Sequence, residues 1–164
     1  MTTGQSSVQR ISVISSRSFE YVVAALEAAI GHPDTSRFQR ELGATKTYAE
    51  MEGIVQRAIG PSGFMEFARF DLGAILRKEP GLETAKSLRF LIGNPLVMKA
   101  MVKHVPDAGS YAPVTVLIDE RPDGVRLSYD TMAGFLTPYG STEALKVARD
   151  LDSKVENLLR EAAA

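Results

Sequence analysis

The chain contains no cysteine among its 164 residues. Disulfides, thiolate metal sites, iron–sulfur clusters and a cysteine nucleophile are therefore all excluded. Histidine is scarce too, with only His32 and His104 present. A zinc site would need carboxylates gathered by the fold, and no spacing in the sequence foretells one. Neither sign of charge dominates: 19 Lys and Arg face 20 Asp and Glu, for a net charge of −1. Such a chain is not built to hold nucleic acid by bulk charge. No apolar run approaches the roughly 18–20 residues of a membrane helix, so no membrane partner is expected. Residues 1–7 are polar and lack a basic stretch followed by an apolar core, so they read as a flexible tail, not a secretory signal. A cytoplasmic location is the default expectation, and the absence of cysteine fits it.

Several chemical signatures are missing as well. There is no Gly-x-Ser-x-Gly elbow, no phosphate-binding Gly-rich loop, no His-Glu-x-x-His and no calcium loop. No cofactor is implied.

Hydrophobic residues make up 45% and charged residues 24% of the chain, the balance of a soluble globular protein. The length suits one ordinary domain, which is expected over residues 8–164. Val8–Ser15 reads as a first strand. Ser18 caps a helix whose stripe is Phe19, Val22, Val23, Leu26 and Ile30, stopped by Gly31 and Pro33. Residues 34–60 read as a helical insert. Phe38 and Leu42 mark one short helix; the second starts at a capping box of Thr47 and Glu50 and ends at Gly60-Pro61. Strands follow over Phe64–Leu72 and Ser87–Ile92. Asn94 and Pro95 then start a helix running to about His104. Val114–Asp119 and Val125–Tyr129 form a hairpin around Arg121-Pro122-Asp123-Gly124, with Arg126, Ser128 and Asp130 on a wet face. Ser141 caps a long last helix carrying two acid-first pairs, Asp150–Lys154 and Glu156–Arg160. The fold class expected is α+β: a curved antiparallel sheet with helices packed on one face.

Four stretches together resemble a known family: Phe64–Gly73 (FMEFARFDLG), Phe90–Leu96 (FLIGNPL), Ser110–Glu120 (SYAPVTVLIDE) and the hairpin after it. The most specific piece is Gly93-Asn94-Pro95 after a strand, supported by Ala112-Pro113-Val114 before one and by a strand ending in Asp71. The chain is similar in these pieces to the "domain of unknown function 302" family. The resemblance spans Val8–Ile30 and continues from Phe64 onward. It implies a fold similar to the TATA-binding-protein-like α+β fold and a bacterial or archaeal origin; a bacterial one is expected. It implies no reaction. Two departures stand out. The insert at 34–60 is longer than the typical family connection. The cysteines that many relatives carry fall here at Gly93 and about Val114, so a thiol role is excluded.

The candidate site residues are few. Asn94 opens a helix, where free N–H groups suit an anion, although its capping role weighs more. His104 sits at a helix C-terminus, which explains its presence structurally; functionally it would serve as a general base with Asp107 or as a haem ligand alongside Met98 or Met101, two methionines that read more simply as core. His32-Pro33-Asp34 is shared with chaperone J-domains, but it reads here as a helix stop and a new cap. Arg69 and Asp71 lie two apart on a strand and hence on one face, together with Met65 and Phe67. With Arg89 from the neighbouring strand they would close an apolar groove with charge, as a site for an amphiphilic acid requires. A plain ion pair is the structural alternative. Tyr111 sits in a loop expected to overhang the sheet.

These residues favour a non-enzymatic module that binds a small amphiphilic or acidic ligand. Its site is expected in an apolar cleft between sheet and helices, formed by Phe67, Arg69, Asp71, Arg89, Asn94, His104 and Tyr111. Two alternatives stand beside it. One is a homodimer or other self-associating interaction domain. The other is an enzyme using His104 as base.

Overall fold

The structure, a computed structural model, describes residues 5–164. The expected tail at 1–7 therefore lies in its first four residues outside the described part, and Gln5–Ser7 are exposed and belong to no element. Five strands are present: β1 (Arg10–Ser15), β2 (Met65–Asp71), β3 (Ser87–Gly93), β4 (Val114–Arg121) and β5 (Gly124–Asp130). They form one antiparallel sheet in the order β1-β5-β4-β3-β2. The tight Pro122-Asp123 turn sets the β4–β5 register, pairing Arg121 with Gly124 and Val116 with Tyr129. The helices are α1 (Phe19–Ala29), α2 (Thr35–Ala44), α3 (Tyr48–Ala58), α4 (Leu72–Leu76), α5 (Pro95–Val102), α6 (Met132–Leu136) and α7 (Thr142–Ala163).

Alternation decides which face is buried. Val114, Val116 and Ile118 of β4 and Val125, Leu127 and Tyr129 of β5 point to one side and are buried. There they meet Val22 and Leu26 of α1, Met101 of α5 and Leu151, Val155 and Leu159 of α7 in one continuous core. The α+β architecture with helices against a curved antiparallel sheet is thus present. The other residues of each strand make an open face. Across it run Arg10, Asp130, Thr115 and Leu91 in one row, and Ser12, Ser128, Leu117 and Arg89 in the next.

The helices start where the sequence marks them. Side chains of Ser18, Asp34, Thr47, Asn94 and Ser141 each accept a backbone N–H of the first turn. The capping box at α3 is displaced by one residue: Thr47 accepts from Glu50 N–H at 3.2 Å, but Glu50 accepts from Lys46 N–H at 2.8 Å, not from Thr47. On α7 the Glu156–Arg160 pair forms at 2.6 Å. The expected Asp150–Lys154 pair is not among the ion pairs of the described residues, because both groups are free to stay in water.

The insert α2–α3 has a small core of its own, in which Phe38 and Val55 meet Met65 of β2. Its two ends are stitched to β2. Gly31 and Gly60 N–H groups both donate to Phe64 O, at 2.9 and 2.8 Å, and Glu66 N–H donates to Gly31 O at 2.8 Å. The backbones approach so closely that a Cβ on Gly31 would lie 1.9 Å from Ala58 O, and one on Gly60 would lie 2.4 Å from Ile30 C. Only glycine permits that contact.

β2 departs from regular alternation. Glu66 pairs with Ile92 and Ala68 with Leu91, so Phe67 is an extra, bulged residue. The sequence placed Met65, Phe67, Arg69 and Asp71 on one face. The bulge breaks that phase: Met65 sits opposite Gly93, whereas Arg69 sits opposite Phe90, on the other side of the sheet.

Candidate functional site

The curved open face holds a cavity of about 570 Å³. Leu91 and Thr115 form part of its floor, with Leu117 and Ser128 in the next row. Its wall is an aromatic stack. Tyr111, on the segment before β4, lies over Phe135 of α6 with ring centres 4.6 Å apart and planes 10° from parallel. The Tyr111 hydroxyl lies 3.3 Å from that of Tyr139. That contact, then burial and nearby Asp107, pushes the Tyr139 hydroxyl well above its ordinary range.

Two arginines line the cavity, on strands three spacings apart, or roughly 14 Å across the sheet. Their situations differ. Arg10 makes two parallel bonds to Asp130, at 2.7 and 2.8 Å. The side-chain hydrogen bonding first, and then the attraction of charges, holds the Asp130 carboxyl below its usual range and raises Arg10. Arg89 has no carboxylate partner among the ion pairs of the described residues. Its guanidinium donates one long bond, 3.3 Å, to Thr115 Oγ1 and lies 5.8 Å from the Phe70 ring centre. An exposed cation without a carboxylate partner, beside an apolar floor, offers a place for an acid group.

A second and smaller cavity, about 240 Å³, lies on the far side of Ala112-Pro113-Val114. Phe67 and Asn94 line it. Both ends of the Asn94 amide are tied down: Oδ1 accepts Leu96 N–H at 2.9 Å, and Nδ2 donates to Gly63 O at 3.0 Å. It acts as a helix cap and a tie to the 60–64 turn, which is the structural role its sequence position suggested.

The seven residues singled out from sequence are therefore not gathered in one place. Arg89 and Tyr111 share the open-face cavity, and Phe67 and Asn94 share the smaller cleft. Arg69 stands on the helix side of the sheet edge. It pairs there with Glu27 and, at 2.9 Å, with Glu66, and its guanidinium lies 4.6 Å from the Phe90 ring centre. Hydrogen bonding to Glu66 comes first among the influences that raise Arg69. Asp71 caps α4, accepting Ala74 N–H at 2.8 Å, and meets Arg77 at 3.1 Å. The Ala74 bond chiefly holds its carboxyl below the usual range. His104 is exposed at the end of α5 and lines neither cavity. His32 likewise serves structure, between Glu66 (3.1 Å) and Glu27 O (2.9 Å).

Sequence reasoning missed Leu91, Thr115, Leu117, Phe135 and the Arg10–Asp130 pair. The polar alternation of β5 signalled an open face, but Ser128 on it is buried rather than wet, and nothing signalled that this face is concave. No cluster of three or more His, Cys, Asp or Glu suited to a metal ion occurs among the described residues. No helix of the described residues is long and apolar enough to cross a membrane.

Comparison with known proteins bears on the fold. A crystal structure of an uncharacterised conserved protein DUF302 from Bacillus stearothermophilus is similar, with a TM-score of 0.64 and 12% identity, over 93% of this chain and 97% of the other. At that identity the likeness is one of fold. No curated protein matches the chain. The family model for the domain of unknown function DUF302 matches residues 38–162, which takes in most of the insert, the bulged strand, the smaller cleft, the lining of the open-face cavity except Arg10, and α7 except Ala163. By that match the chain belongs to the DUF302 family.

Proposed function

We propose that the protein binds a small acid with an apolar body in the open-face cavity, without transforming it. The observation that carries this reading is Arg89, a guanidinium with no carboxylate partner at the side of a cavity of about 570 Å³. A cavity of this size suits a small organic ligand. The acid group meets Arg89 in a charge-assisted bond. The apolar body lies along Leu91 and Leu117, and the stack of Tyr111 on Phe135 closes one end. Arg10 is already neutralised by Asp130 and contributes shape. The site lies on the open face of the sheet, not between sheet and helices, and draws on Arg89 and Tyr111 but not on Arg69, Asp71 or His104.

The test is a fluorescence titration with 8-anilinonaphthalene-1-sulfonate, an aromatic anion, at a pH and temperature where circular dichroism shows a folded protein. A charged hydrogen bond contributes about 1.5–3 kcal/mol, so Arg89→Ala should weaken binding roughly 10- to 150-fold, and Arg89→Lys by less. Equal affinity in wild type and Arg89→Ala would remove the reading.

Self-association stands as a second reading. Phe70, Ile75, Leu76 and Leu82 are exposed apolar side chains on β2, on α4 and in the loop after it, Ile75 at 73%. Sedimentation at micromolar concentration decides: a clean monomer removes this reading and leaves the first intact.

A further inference from the structure

We propose that the smaller cleft is a second binding site, for a neutral aromatic molecule of about one fused bicycle carrying a single polar hydrogen. It rests on observations separate from Arg89 and stands whether or not the open-face cavity binds an acid. Phe38 and Leu42 of α2 form one wall, Met98 and Met101 of α5 another, and Phe67 and Pro113 the floor.

The bulge in β2 and the glycine in β3 together make this space. The bulged Phe67 is brought against Gly93, where a Cβ would lie 3.4 Å from the Phe67 ring and 3.5 Å from Pro113 Cβ. The absent side chain at residue 93 keeps the floor flat. Size sets the ligand class. A dry apolar cavity of about 150 Å³ takes benzene. The 240 Å³ here accommodates a second fused ring.

Charge sets it further. No charged residue lines the cleft, and its two polar liners are Gln39 and Asn94. Asn94 is held by one bond at each end of its amide within the protein. An ion entering this lining would lose hydration without a counter-charge, so the occupant is neutral. Gln39 is exposed on α2 and has no side-chain hydrogen bond within the described residues. Its amide oxygen can accept a polar hydrogen at the ligand's edge. The two methionines favour an aromatic occupant, because thioether sulfur packs well against ring edges and the unbranched chains adapt to shape.

The test uses indole, with indole-3-carboxylate as the charged control. Binding is followed by NMR on protein carrying 13C-labelled methionine methyl groups. The expected result is saturable movement of the Met98 and Met101 methyl signals with indole and at least tenfold weaker binding of the carboxylate. Arg89→Ala should leave the indole titration unchanged. Leu42→Trp, which fills the cleft, should weaken indole at least tenfold. If that variant does not fold, Met98→Trp serves, since Met98 is 36% exposed. Three results overturn the proposal: no saturable methyl movement in the wild type, equal affinity in a folded filled variant, or loss of indole binding in Arg89→Ala. The last would also move the ligand to the open-face cavity, so failure here and failure of the acid-binding reading are told apart.

Discussion

Tyr129 Oη donates to Asp152 Oδ1 at 2.6 Å, and both groups are buried beneath the turn that begins α6. The same Asp152 carboxyl accepts the N–H groups of Met132 (2.7 Å) and Ala133 (3.0 Å). Thr131, the residue before α6, makes no side-chain cap of its own. The cap is supplied from α7 instead, ten residues into that helix. Through it the long helix fixes α6, which carries Phe135 and hence the aromatic wall of the open-face cavity.

Asp152→Ala leaves a buried tyrosine hydroxyl and the Ala133 N–H without their acceptor, while Met132 N–H keeps the Tyr129 hydroxyl at 3.2 Å. Groups orphaned in this way cost about 1–3 kcal/mol each, less what water recovers, so the loss should fall near 3 kcal/mol. Urea unfolding of wild type and variant measures it. The fluorescence of 8-anilinonaphthalene-1-sulfonate should also weaken, because Phe135 loses its anchor.

Burial, and then the Asp152 charge, push the Tyr129 hydroxyl far above its ordinary value of 10.0. The folded state thus keeps a proton that the unfolded chain releases above pH ~10. Its contribution to stability is full below that pH and shrinks as pH rises, by up to about 1.4 kcal/mol per pH unit. Tyr129→Phe should be less stable at neutral pH and show a shallower loss between about pH 10 and 11. Parallel slopes for the two proteins would contradict the burial of a protonated Tyr129.

Gly31→Ala forces a methyl group into Ala58 O, 1.9 Å from the ideal Cβ position. The backbone must shift, at a cost of about 1–3 kcal/mol or more. The break falls where the insert is stitched to β2, so amide exchange should rise first at Phe64–Glu66 and in α3, before α7. Gly43→Ala, with open space around it, is the control and should be neutral or slightly stabilising.

Arg69→Ala separates the two arginines that sequence placed in one groove. Arg69 is paired with two carboxylates on the helix side. Its removal should cost about 0.5–1.5 kcal/mol of stability from surface pairs and ring contact. It should leave titration by the naphthalene sulfonate unchanged.

Much of the fold is legible in the residues themselves. The Pro-Asp-Gly turn and alternating β4–β5 strands, the Asn94-Pro95 start and the stripe of α7 each specify local structure. What stays hidden depends on partners distant in sequence. Phe67 becomes a bulge only through its register with Ile92 and Leu91, and that single extra residue sends Arg69 to the opposite face from Met65. Asp152 looks like one more polar residue on a helix until α6 docks against it. Arg89 and Tyr111 could be picked out as a rim cation and a loop aromatic. Their sharing of one cavity follows from sheet curvature, for which no single residue is responsible.

The proposed function requires that the Arg89 guanidinium receive an anion on the open face. The most direct measurement is the Arg89 Nε–H resonance in 15N-labelled protein during titration with 8-anilinonaphthalene-1-sulfonate. Anion binding at Arg89 should shift this signal saturably, together with the amides of Leu91, Thr115 and Leu117, while the Arg69 Nε–H signal stays in place. A stationary Arg89 signal under a saturating probe, or shifts confined to the rest of the molecule, would contradict it.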